Sequence, residues 1–105
     1  MAKEHSTIIN QIIKTFGNLP HSYLWSNQTG VSRTGGRWIP FGEKGSPDII
    51  GCIRGQFIGV EVKVGKDKWR DDQKAFCERI KKAGGYYFLV KSVDDFVDLY
   101  HSITF

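Results

Sequence analysis

Apolar positions between Lys3 and Phe16 recur at helical spacing. Ile8, Ile9, Ile12, Ile13 and Phe16 share one face of a helix, which Gly17 and Pro20 end. Tyr23-Leu24-Trp25 is a short apolar run that reads as a strand. From Ser26 to Ser46 the pattern lapses into Gly, Ser, Thr and Asn, with Arg33, Arg37 and Lys44 interspersed. A connection this long in a small domain is usually functional or disordered. Trp38, Ile39 and Phe41 within it argue for partial packing.

Alternation then takes over. Asp48 to Ile53 and Phe57 to Val64 read as two strands around an Arg54-Gly55-Gln56 turn, a β-hairpin. In the second arm Ile58, Val60, Val62 and Val64 alternate with Phe57, Gly59, Glu61 and Lys63, so Glu61 and Lys63 project from the same side. A helix from about Lys68 to Ala83 is stopped by Gly84-Gly85. Tyr86 to Val90 is a further strand. Ser92 opens a last helix, with Asp95 as a capping-box partner and Phe96, Val97, Leu99 and Tyr100 on its apolar side. The order helix, strand, hairpin, helix, strand, helix predicts an α/β fold, a mixed β-sheet flanked by helices (α-β-β-β-α-β-α).

Length and composition narrow the choice. At 105 residues one domain spanning 1–105 is expected, and a barrel of eight βα units or a kinase will not fit. With 40% hydrophobic and 13% aromatic residues the chain is an ordinary globular one, not a disordered one. The apolar runs are too short to span a membrane. Lys3, Glu4 and His5 stand where a secretory leader would be apolar. Cys52 in an apolar run and Cys77 in a helical pattern read as reduced, buried residues of a cytoplasmic protein. Two cysteines without a nearby histidine pair exclude a structural zinc site, and His5, His21 and His101 show no ligand spacing. The formal charge of +4 permits a polyanionic partner without requiring one.

Candidate chemistry gathers on the hairpin. Pro47 cannot donate to a sheet ladder, so the first arm starts near Asp48. The near-equal arms bring Asp48 and Glu61 to the same end of the pair. Two carboxylates beside Lys63 suit a hard dication, with the ammonium orienting water or stabilising charge on phosphate. Taken alone, Glu-x-Lys occurs by chance roughly once in 300 positions and also describes an ordinary cross-strand ion pair. Glu4 lies in line with Ile8 and Ile12, as a third acidic group or simply as an acid favoured at a helix N-terminus. Gln73 is the polar exception on the stripe Trp69, Phe76, Ile80 and Ala83, and there it needs a partner. Arg33, Arg37, Lys44, Lys66, Lys68 and Arg70, with Trp38 and Trp69, offer basic groups interleaved with aromatics; they suit nucleic acid and equally a solvated basic face.

Pro47-Asp48, then twelve residues, then Glu61-x-Lys63, after a first helix, resembles the PD-(D/E)xK nuclease superfamily. The finer resemblance is to its VRR-NUC group of virus-type replication-repair nucleases, in its stand-alone phage form. It is carried by Gly45-Ser46-Pro47-Asp48-Ile49-Ile50-Gly51, Val60-Glu61-Val62-Lys63, the Gln73 helix and Gly84-Gly85-Tyr86, with Asn27-Gln28-Thr29-Gly30 and Arg33-Thr34-Gly35-Gly36-Arg37. The resemblance implies a restriction-endonuclease-like core. It implies Asp48, Glu61 and the Val62 carbonyl as metal ligands, Lys63 as the catalytic lysine, and Gln73 and Glu4 as the family's helical glutamine and acid. It further implies Mg²⁺ or Mn²⁺ as cofactor, hydrolysis of branched DNA such as a flap or Holliday-like junction, a homodimer, and a bacterial or phage-infected cytoplasm. The alternatives are a non-catalytic nucleic-acid-binding module that keeps the fold, and a structural subunit of a replication assembly, which would expose an apolar patch.

Overall fold

The computed structural model describes residues 3–103, with only the main chain of Phe41; residues 1, 2, 104 and 105 of the expected domain lie outside that range. It is a mixed α/β fold. The elements are α1 (Lys3–Phe16), β1 (Ser22–Ser26), β2 (Gly30–Thr34), β3 (Arg37–Phe41), β4 (Ile49–Ile53), β5 (Gln56–Val62), α2 (Asp71–Lys82), β6 (Tyr86–Val90) and α3 (Val93–Ser102). The main sheet runs β1-β4-β5-β6, antiparallel except for the parallel β5–β6 pair that α2 connects. No helix among the described residues is long and apolar enough to cross a membrane.

The alternation read from the sequence decides which face is core. Leu24, Ile49, Ile53, Ile58, Val60, Val62, Phe88 and Val90 project from one face. They are buried with Ile8, Ile9 and Ile12 of α1 and Phe96 of α3. α2 covers part of the opposite face, where Phe76 lies against Tyr87. That face also carries the side chains that matter most below.

Three details depart from expectation. First, the stretch from Ser26 to Ser46 contains a second hairpin. β2 and β3 pair from Gly30↔Phe41 to Thr34↔Arg37 around Gly35-Gly36, both at positive φ (59° and 79°). That two-residue loop is the type that fits the twist of paired strands, and glycine adopts it without steric cost. Trp38 and Ile39 are exposed, so the expected packing is absent at those two positions. Second, α2 begins at Asp71, because Arg70 is an extended N-cap (φ −80°, ψ 160°). Third, Cys52 is exposed, because α2 leaves the β1–β4 part of its face uncovered; Cys77 is buried as expected, and both thiols are free. At α3, the Ser92 hydroxyl accepts from the Asp95 N–H, while the Asp95 carboxylate takes the N–H of Lys91 instead of that of Ser92.

The β4–β5 turn gives a stability prediction. Arg54 holds a left-handed backbone (φ 49°) ahead of Gly55 (φ 83°), which costs an ordinary L-residue of order 1 kcal/mol and asparagine much less. Arg54→Asn creates the Asn-Gly pair this turn favours. It should raise stability by about 0.5 kcal/mol, seen as an upward shift of a few degrees in thermal melting.

Candidate functional site

The β4–β5 register sets the site. Ile49 pairs with Val60, so the next position out places Asp48 opposite Glu61, where the strands open. Asp48 is held from several sides. Its carboxylate Oδ2 accepts the Val62 N–H at 2.8 Å and lies 3.2 Å from His5 Nε2. Its carbonyl accepts the Asn27 N–H at 2.8 Å. The Asn27 side chain donates to the Ser46 hydroxyl (2.7 Å) and the Pro47 carbonyl (2.9 Å), tying down the entry to β4.

Glu61 is almost wholly buried, at 3% exposure. Its Oε2 accepts from Gln73 Nε2 at 3.0 Å and lies 3.1 Å from Lys63 Nζ. Lys63 follows the last residue of β5, yet its N–H still bonds the Val90 carbonyl (2.9 Å), which keeps its side chain on the Glu61 side. Gln73 has two tasks. Its Oε1 accepts the Arg70 N–H at 3.0 Å, capping α2, and its amide nitrogen steadies Glu61. Gly45 brings the loop before Asp48 onto α2. It sits at φ +82°, and a side chain there would collide with the Asp72 main chain.

These groups line a cleft of about 550 Å³ that includes Glu4, His5, Asp48, Glu61, Lys63, Lys66, Arg70 and Gln73. Five expected residues thus meet: Asp48, Glu61, Lys63, Gln73 and Glu4. Glu4 stands exposed at the rim and His5 is the buried member of the α1 stripe, so the acid does not continue the inward line of Ile8 and Ile12. Val62 does not line the cleft; its N–H, on Asp48, is its link to the site. Lys66 and Arg70 border the cleft, whereas Lys68 does not. Lys44 lines an adjoining hollow with Arg70 and the base of the β2–β3 hairpin. Arg33 and Arg37 are carried on that hairpin, away from the cleft.

Sequence reasoning missed His5 and Asn27. The spacing of His5 with Ile8, Ile9 and Ile12 was the available signal for the first, since it puts the imidazole on the buried face. Nothing in sequence spacing links Asn27 to Pro47, because the intervening hairpin was not visible as one. No protein-family model matches the chain, and no curated protein matches it.

Burial drives the electrostatics. Loss of solvent first, and the Asp48 charge second, raise the Glu61 pKa from 4.5 to about 7, with Lys63 and His5 opposing the shift without cancelling it. Between pH 4.5 and 7 the folded state therefore holds a proton that the unfolded chain has released. This contribution is fully present below pH 4.5 and is lost as pH rises through 7. Without divalent metal, the Glu61 share of stability should fall by up to about 3 kcal/mol from pH 4.5 to 8. Denaturant melts of the wild type and Glu61→Gln across that range check this: the wild type should lose stability relative to the variant as pH rises.

Proposed function

We propose that the chain is a metal-dependent, structure-selective DNA endonuclease, acting on branched DNA such as a flap or a four-way junction. The observation that carries the reading is the convergence of Asp48 and Glu61, from paired strands, beside Lys63 in one basic-rimmed cleft. The four-stranded mixed sheet between α1/α3 and α2 is compatible with a restriction-endonuclease-like core.

The residues fit a hard dication. Asp48 Oδ2 and Glu61 Oε2 are engaged by protein donors, while Oδ1 and Oε1 accept nothing among the described residues and remain for a cation. No cluster of three or more His, Cys, Asp or Glu disposed to hold a metal occurs among the described residues. The paired carboxylates of Asp48 and Glu61 suit an ion of the Mg²⁺ or Mn²⁺ kind, which uses one or two carboxylates and takes its other ligands from water and substrate phosphate. Bound there, such an ion supplies Lewis acidity, polarising the phosphate and lowering the pKa of water. It would also offset the burial and the Asp48 repulsion that together keep Glu61 protonated near neutrality.

The chain's own groups do the rest. Lys63 Nζ, anchored on Glu61, presents a positive charge where negative charge grows on the phosphate oxygens, and it can orient the attacking water. Water forms the new P–O bond as the bond to the departing strand breaks; the attacking water gives up one proton to solvent, and the departing oxygen takes one from solvent. Lys66 and Arg70 offer contacts for flanking phosphates, and Gln73 keeps Glu61 in one rotamer. A homodimer would set two such clefts on two strands of one junction, in the cytoplasm of a bacterial or phage-infected cell.

Labelled junction, flap, duplex and single-stranded substrates, incubated with Mg²⁺ or Mn²⁺, test the reading. Cleavage should stop with chelator. Glu61→Gln and Lys63→Ala should each slow it by about 10²-fold or more, while DNA affinity stays within a few-fold because phosphate contacts come from other residues. Cleavage that survives chelation or either substitution overturns the mechanism. In calorimetry Asp48→Asn should abolish divalent binding, and wild-type affinity should weaken as pH falls below about 7 and Glu61 holds its proton. A chain that binds DNA but shows no such metal site is a binding module instead.

A further inference from the structure

The β2–β3 hairpin belongs to neither the sheet nor the cleft. Its strands pair only with each other, and every described side chain on it is exposed. A lone two-stranded hairpin is marginally stable in water, so its side chains are chosen by something other than a core. Register divides them into two faces. Arg33 and Trp38 are directly opposed on one, beside Val31 and Pro40; Ser32, Thr34, Arg37 and Ile39 lie on the other.

Two observations point to a ligand. The Arg33 guanidinium lies 5.5 Å from the centre of the Trp38 ring, yet the indole is 64% exposed. A flat aromatic surface backed by a cation is thus held out to solvent. In addition, residues 27–42 contain two arginines and no acid. A protein surface docking on this ribbon would bury both charges without a carboxylate from the ribbon to pair them. Unpaired nucleotides match both properties: a base stacks on the indole and its phosphates meet the guanidinium groups. The position fits as well, because Thr29, next to the start of β2, lines the catalytic cleft.

We propose that the β2–β3 hairpin is an arm that captures unpaired nucleotides next to the scissile phosphate, with Trp38 as the stacking platform and Arg33 and Arg37 as phosphate contacts. The inference rests on the nuclease reading and adds to it the part of a branched substrate that the chain grips: the single-stranded segment.

The test is fluorescence anisotropy in chelator, which prevents cleavage. The probes are a labelled oligothymidine of about 16 nucleotides and a duplex of equal length. Trp38→Ala should weaken oligothymidine binding about tenfold and duplex binding by about twofold or less, and Trp38→Phe should recover most of the loss. The double variant Arg33→Ala/Arg37→Ala should weaken both probes and reduce the slope of log affinity against log salt for the single strand by about 1.4. The substitutions are at exposed positions, so the fold is not at stake. Unchanged single-strand affinity in Trp38→Ala overturns the arm. So does a wild-type dimer that Trp38→Ala converts to monomer, since the platform's partner is then a second copy. If the wild type binds both probes and Trp38→Ala matches it while Glu61→Gln abolishes cleavage, only the arm is lost. If the wild type binds neither probe yet cleaves a branched substrate, only the arm is lost; if it also cleaves none of the branched substrates, the nuclease reading itself falls.

Discussion

Two carboxylates sit opposite one another at the frayed end of an antiparallel pair, one of them almost fully withdrawn from water, and the surrounding structure answers that charge. Like charges this close in a poorly hydrated place are mutually costly. The chain supplies an ammonium from the next same-side residue, an imidazole from α1, an amide from α2 and a main-chain N–H from β5. These donors come from elements far apart in sequence, so the packing of α1 and α2 on opposite faces of the sheet and the arrangement of charge depend on each other. The compensation is incomplete, because Glu61 remains shifted toward its neutral form. A pair of acids left partly unsatisfied in an open cleft with basic groups at the rim is not arranged for maximal stability, and under the proposed reading a further cation would complete it.

The core and the cleft end of the fold were legible because burial and periodicity reinforce each other there. Ile58, Val60 and Val62 alternate against one face, and the turn at Arg54-Gly55 sets the register. That register alone forces Asp48 opposite Glu61. The helical stripe of α1 was equally plain, but its edge was not. Glu4 and His5 are adjacent, and one step of about 100° decides which lies inward; the intermediate polarity of histidine hid the answer. Cys52 misled for the opposite reason, because apolar neighbours on a strand say nothing about whether a helix covers their face.

The β2–β3 hairpin escaped detection on physical grounds. Alternation reveals a strand only when one face is buried. With both faces in water, Val31, Arg33, Trp38 and Pro40 mix freely with Ser32, Thr34 and Ile39, and the sole local marker is the Gly35-Gly36 pair. The start of α2 was obscured by a related substitution of roles. A Ser, Thr, Asp or Asn N-cap would have marked it, but Arg70 occupies that place and Gln73 supplies the acceptor from inside the helix.

That exchange ties helix stability to the candidate chemistry. One amide group closes the first turn of α2 and steadies the buried carboxylate, so neither bond can be given up without disturbing the other. The Asp48 side is similarly over-determined, since Gly45 presses the preceding loop against α2 and Asn27 fastens Ser46 and Pro47. Both acids are therefore placed by main-chain and amide contacts around a rigid strand end, the arrangement in which a metal or phosphate can be held with little reorganisation. The hairpin that departs from the same cleft has no comparable support. Under the proposed reading, rigid placement of the paired acids and a ribbon with little support of its own would be complementary: the first would fix where a bond breaks, and the second would follow a backbone whose path differs from one branched substrate to the next.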